Sequence, residues 1–432
     1  MTPKNCNPSV LHENETQSQI NNVNCLENDS LSLSVLSSLM VDSPPKYKQI
    51  ELFEEEKNNL EFTELLKEKW SHYQEKFISN GAYSAVLGNA TVREGVAQFI
   101  TQRDSHKTNM ESVFVLTGSV NAFGTFLSGI IRSSQDAVLL PLPVNVEYKM
   151  QIKAANGSCV DYKTTSKASQ AESIAKAVTE AKNQGLTPKL LLVVNPGSIT
   201  GRLLSKKEIQ EILEVSLENN LLVIAEEKFQ EVILGDSEFV SFKQALVTHP
   251  KEEVQKSLEL ISTNSISTTL TPFNLVCSYY ELCNIDQQVH SEFLKLHGVN
   301  LWGNSIGQIA LDLHVRREQI LKGLSQQVRN LFDSQKERNK QLLISNYSHL
   351  KETLESTGWF ELDGENNSFF CFAKVLKKTD TRSLAYDIEK NVKIAAEPGD
   401  LFGMKGWIRF DKFSKITIEQ TQKLKEILRK LN

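Results

Sequence analysis

No two of the six cysteines (Cys6, Cys25, Cys159, Cys277, Cys283, Cys371) form a C-x-x-C pair, and none stands beside a histidine cluster. That spacing argues against a structural zinc and against the disulfide framework of a small secreted domain. A reducing compartment fits best, with the thiols as small buried hydrophobes. Also missing is any basic cluster with interleaved aromatics, and a net charge of −5 is small for 432 residues. Nucleic acid is therefore not an expected partner. No apolar run reaches the roughly 18 residues that a membrane-spanning helix needs. The opening stretch MTPKNCNPSVLHENETQSQINN has one lysine, no arginine and no apolar core, unlike a secretory or mitochondrial leader. The expectation is a cytoplasmic protein without a membrane partner.

What is present is an alternation of helices and short apolar runs. Residues 1–30 are rich in Asn, Ser, Glu and Gln and read as a disordered arm that cannot bury enough surface to offset ordering. Further on, VFVL (113–116), LLLVV (190–194) and LLVIA (221–225) suit strands buried on both faces. Between the last two, Ser205 and Glu208 form a capping box, and Ile209, Ile212, Leu213 and Leu217 mark one helical face. Strand, helix and strand within about thirty residues make a βαβ unit, hence a largely parallel sheet. After Pro272 the character changes. A long helical region is expected over 315–356, with Leu321, Leu324, Val328, Leu331 and Phe332 at helical spacing. Strands follow at FFCFAKV (369–375) and WIRF (407–410). A closing helix starts at Thr417 with Gln420 as its box partner and Leu424, Ile427, Leu428 and Leu431 inside. No internal repeat is apparent.

Several segments, in order, resemble class I aminotransferases of the alanine aminotransferase type. GAYSAVLGNATVREGVAQFITQRD (81–104) is similar to the family's GAYS segment and the helix behind it. TGSVNA (117–122) resembles the phosphate-side turn, PLPVNVEY (141–148) the P-x-P-x-Y-P-x-Y pattern, and NPGSITG (195–201) the NPGNPTG loop. AEEKFQ (225–230) resembles ADEVYQ, and EPGDLFG with WIRF (397–410) the PG-x-x-FG…FR pattern. The resemblance implies an α/β fold of the pyridoxal-phosphate-dependent, aspartate aminotransferase-like type. It would have a mostly parallel seven-stranded sheet and a smaller α+β domain. The implied organisation is a disordered arm (1–30), an N-terminal segment of the small domain (31–80), a large α/β domain (81–314), and an interdomain helix with the small C-terminal domain (315–432). A homodimer is implied too, the family building each active site from both subunits.

The chemistry of that family needs a lysine that forms an imine with the cofactor and then moves a proton. The matching stretch is STNSISTTLTP (262–272), and the lysine position falls on Thr268, whose hydroxyl forms no imine. No lysine occurs between Lys256 and Lys295. Other positions implied by the resemblance have changed as well. Beside Gly118 and Ser119 of the phosphate turn, the carboxylate for the pyridinium nitrogen is Glu226, and the tyrosine for the ring oxygen is Phe229. The asparagine sharing that contact is Ser198, followed by Ile199 where the family has proline. The aromatic beside the ring is Asn145, and the phosphate arginine is Cys277.

Each residue has a plainer alternative. Glu226 is either a relic cofactor contact or a structural carboxylate. Arg409 stands where the family clamps a substrate carboxylate, or else it is an internal salt-bridge partner. Lys228, two residues past Glu226, is either a substitute imine former or that acid's ion-pair partner. Tyr83 and Tyr148 match family tyrosines near the substrate, or are packed at an interface. Gly118, Gly197, Gly201 and Gly399 read as turn geometry. The sequence therefore points to an aminotransferase scaffold without catalysis, used for binding or for a larger protein assembly, with no cofactor expected and no metal. Two alternatives stand beside it: a pyridoxal-phosphate aminotransferase with a displaced lysine, and a cofactor-free sensor of small carboxylates through Arg409.

Overall fold

Every apolar run singled out above becomes a strand, give or take its end residues. The computed structural model describes Glu68 and residues 85–164, 169–266, 276–299, 304–412 and 416–431. Apart from Glu68, the arm and the 31–80 segment lie outside the described residues, as do Tyr83 and Thr268.

Seven strands make the large sheet: β1 (Val113–Leu116), β2 (Asp136–Leu142), β3 (Ser158–Lys163), β4 (Thr187–Val194), β5 (Leu222–Glu226), β6 (Leu260–Ser265) and β7 (Ser278–Cys283), in the spatial order β1-β7-β6-β5-β4-β2-β3. β7 runs antiparallel to β1 and β6, and all other neighbours are parallel. The expected mostly parallel sheet is what forms. Its strands are apolar on both sides because helices cover both faces. One face packs Leu191, Val193, Val223 and Ala225 against Ile209, Ile212 and Leu213. The other packs Leu140, Leu192 and Ile224 against Phe123, Phe126 and Ile152. The capping box at Ser205 and Glu208 is present, and the helix it starts, Lys206–Glu218, buries Ile209, Ile212 and Leu213 completely, with Leu217 at the margin. Each such side chain contributes about 1.5–3 kcal/mol.

A four-stranded sheet follows, ordered β10-β11-β9-β8, from β8 (Phe360–Asp363), β9 (Phe370–Val375), β10 (Ala396–Pro398) and β11 (Trp407–Asp411). Its alternation is clean. Cys371, Ala373, Ile408 and Phe410 enter a core with Leu350, Leu354, Leu384 and Leu424. Phe372 and Trp407 face the other way, with Phe402 and Ile199.

Two expectations are corrected. The helix expected over 315–356 is divided into Arg317–Lys322 and Gln326–Ser356. Gly323 disfavours helix interior and Ser325 stands at the N-cap of the second piece, so the chain breaks there. Leu431 lies just past the last helix, Ile418–Lys430, and is exposed instead of inside. No helix among the described residues is long and apolar enough to cross a membrane.

Candidate functional site

The parallel strands of the large sheet end on one edge, and between β2 and β4 the strand order reverses, which opens a crevice at their carboxyl ends. Glu226 is the last residue of β5 on that edge, 1% exposed. A buried carboxylate costs several kcal/mol unless it is paired and hydrogen-bonded. Three side chains supply that. Ser119 Oγ donates to Oε1 at 3.0 Å, the Tyr148 hydroxyl donates to Oε2, and Lys228 Nζ lies 3.0 Å from Oε1.

Each partner arrives for a local reason. Gly118, at φ 86, turns the chain out of β1 so that Ser119 opens the helix Ser119–Ile130. Tyr148 lies in the helix Val146–Ala154 after β2, edge-on to Phe123 with ring centroids 5.0 Å apart. Burial, and then the Glu226 charge, push its hydroxyl well above the ordinary phenol value, so it remains a donor. β5 ends at Glu226, so Lys228 lies in the following turn, not on an extended strand, and its ammonium reaches back to the carboxylate. Beside this cluster Tyr148, Tyr162, Ser198, Ile199 and Arg202 line a cavity. A larger cavity of ≈390 Å³, lined by Thr117, Asn121, Gln151 and His297, contains none of the Glu226 partners.

The neighbouring carboxylate, Glu227, is buried as well. It accepts from Phe242 N and Ser262 Oγ, both at 2.7 Å, with Arg103 3.8 Å away. Burial pushes its carboxyl up to about 7, against the pull of Arg103. Arg103 itself grips Asp104 with two 2.7 Å bonds and reaches Gln230. Lys243 pairs with Glu281 at 2.5 Å, also buried. The adjacent acids at 226 and 227 were the only sequence signal for this network.

The remaining positions serve packing. Phe229 is buried with Val232, Leu343 and Phe369. Ser198 uses its carbonyl to accept from Ser368 Oγ at 2.9 Å, docking the loop against the segment before β9. At Gly201 a Cβ would lie 2.3 Å from the Glu365 carbonyl, so there the turn-geometry reading holds. Asn145 precedes the helix Val146–Ala154 without a side-chain cap bond. Cys277 sits in an apolar cluster with Val92, Val115 and Ile309, where burial pushes its thiol up to about 12. The residue that a Cβ on Gly118 would meet is the preceding one, Val276, at 3.5 Å. The segment before β7 therefore presents an apolar side chain to that turn.

Arg409 lies on β11 opposite Glu397 of β10. Its Nε donates to Glu397 Oε2 at 2.7 Å and its second nitrogen bonds the same oxygen, while its guanidinium carbon lies 3.8 Å from the Phe370 ring centre and 4.3 Å from that of Phe402. Of the two alternatives for Arg409, the salt bridge is the arrangement present.

Comparison with known proteins places this geometry. A probable mitochondrial alanine aminotransferase of Dictyostelium discoideum is 32% identical over 247 residues, 55% of this chain and 45% of its own length. The mitochondrial alanine aminotransferase of Saccharomyces cerevisiae is 30% identical over 308 residues, 69% of this chain and 51% of its own length. A second Saccharomyces cerevisiae protein, named inactive alanine aminotransferase, is 29% identical over 56% of this chain and 49% of its own. The chain thus spans about half the length of these curated relatives. Among solved structures, an alanine aminotransferase from Pyrococcus furiosus superposes with a TM-score of 0.69 at 18% identity, covering 85% of this chain and 88% of the other. An Escherichia coli aminotransferase gives 0.69 at 16% identity over 95% and 97%. The model of the aminotransferase class I and II family matches residues 54–428. The chain belongs to the class I and II aminotransferase family.

Proposed function

We propose that this chain keeps the aminotransferase scaffold without transaminating, and acts through binding or assembly. One observation carries the reading: the Glu226 carboxylate, which the family offers to the cofactor's ring nitrogen, is already bonded by Ser119, Tyr148 and Lys228. The other residues do not fit pyridoxal phosphate either. No lysine stands between Lys256 and Lys295, Phe229 is in the core, and the position implied for the phosphate arginine is Cys277, a thiol buried in an apolar cluster. A dianion held without a cation loses most of its grip. The yeast relative named inactive alanine aminotransferase supports this reading.

The test is an alanine:2-oxoglutarate transamination assay on the purified full chain with pyridoxal phosphate added. The expected result is no turnover above the protein-free rate, for the chain itself and for Thr268→Lys, since one lysine does not rebuild the ring and phosphate contacts. Turnover by either would contradict the reading. A second reading, imine formation by Lys228, is favoured by the position of that amine at the carboxylate. It predicts activity that disappears in Lys228→Met. We further propose that the protein is a cytoplasmic homodimer, which light scattering on the purified chain would test by its mass.

A further inference from the structure

We infer that Glu397 is a built-in occupant of a carboxylate site centred on Arg409, and that it sets this chain's discrimination against small free carboxylates. Arg409 is held as a ligand-binding guanidinium is held. Two rings, Phe370 and Phe402, fix its plane at 3.8 and 4.3 Å, and stacked Phe372 and Trp407, 4.9 Å apart, continue the aromatic surface on the same face of the sheet. A rigid planar fork of this kind suits two-oxygen recognition of a carboxylate. Glu397 does not use it fully. Both of its contacts converge on one oxygen, Oε2, and among the described residues neither Oε1 nor the third guanidinium nitrogen has a hydrogen bond.

The two partners also differ in freedom. The Arg409 side chain is 15% exposed and the Glu397 side chain 45%. The donor is fixed while the acceptor can swing into water, so the acceptor is the half that exchanges. Because Glu397 is tethered on the adjacent strand, a free carboxylate competes with an effective concentration on the order of millimolar or higher. The ligand class that suits the surroundings is a small mono- or dicarboxylate with an apolar portion to lie on the rings. The charges of Asp411 and Glu147 also act on Arg409 and disfavour higher anions.

The experiment is calorimetric titration of the full chain with succinate, at constant ionic strength and without cofactor, so that its outcome does not turn on imine formation. Wild type should bind weakly. Glu397→Gln should bind about tenfold more tightly or better, because the competing charge-assisted bond is gone. Adding Arg409→Gln to that variant should abolish the gain. Binding by Glu397→Gln no tighter than wild type overturns the inference, as does a gain that survives Arg409→Gln. Should Glu397→Gln fail to fold, Glu397→Asp, whose shorter chain draws the carboxylate back, decides by the same criterion.

Discussion

Glu226 on the large sheet and Arg409 on the small one are the two charges that a ligand of this family would meet, and each has been given a partner from its own chain. The large-sheet site is sealed. Glu226 is 1% exposed and held by three side chains from three separate elements. The small-sheet site has one partner, across one strand pair, with that partner half in water. The difference teaches that losing ligand chemistry can be irreversible or reversible within one molecule, depending on how many neighbours the substitute involves.

The sharpest way to break this comparison is to remove Glu226. Glu226→Ala removes the acceptor of the buried Tyr148 hydroxyl and of the part-buried Ser119 hydroxyl and Lys228 ammonium, and should destabilise by about 3–5 kcal/mol in urea unfolding. Removing Lys228 as well should recover part of that loss, since the uncompensated charge goes with it. A loss no greater than a surface substitution gives would mean the cluster is not sealed. Next in size is the junction between the sheets. Gly364, at φ 97, would place a Cβ 1.9 Å from the Thr200 carbonyl. Gly364→Ala should cost about 1–3 kcal/mol on the strained backbone alone, measured by the same unfolding curve.

The two regions also respond oppositely to pH. In the large sheet, burial raises the Glu227 carboxyl from 4.5 to about 7. The folded state keeps a proton that the unfolded chain releases, so this stability is present below 4.5 and lost as pH rises through 7. In the small-sheet region Lys412 is fully buried, donates to Asn366 at 2.6 Å, and is lowered by burial from 10.5 to about 7. Its contribution is present above 10.5 and lost as pH falls through 7. Glu227→Gln should flatten the first slope and Lys412→Met the second, each on the order of 1–3 kcal/mol. Unfolding midpoints across that range, unchanged in slope by either variant, would remove the distinction.

The readable parts of this molecule were those whose cause is local. β1, β4 and β5 announce themselves as short apolar runs, and the capping boxes at Ser205 and Thr417 are spelled out within four residues. The position of Glu226 at a strand end was also legible, because AEEKFQ follows an apolar strand. Its partners were only half so. Lys228 was legible as a neighbour, whereas Tyr148 is 78 residues away and meets Glu226 only because the sheet order brings β2 and β5 to one edge. Glu397 was hidden for the same reason: its pairing with Arg409 depends on a strand register that no periodicity encodes.

The smallest expected effect on stability is at Glu397. A half-exposed ion pair contributes about 0–1 kcal/mol, so Glu397→Gln should leave the unfolding midpoint nearly unchanged. A loss as large as that of Glu226→Ala would erase the contrast between the two sites.

The most direct test of the sealed large-sheet site is to incubate the purified chain with pyridoxal phosphate, record the visible spectrum, reduce with borohydride and map the peptides. The account predicts no aldimine band and no stoichiometric adduct on any single lysine. A visible band with one adduct fixed at Lys228 would contradict it, because that amine would then have left Glu226 for the cofactor.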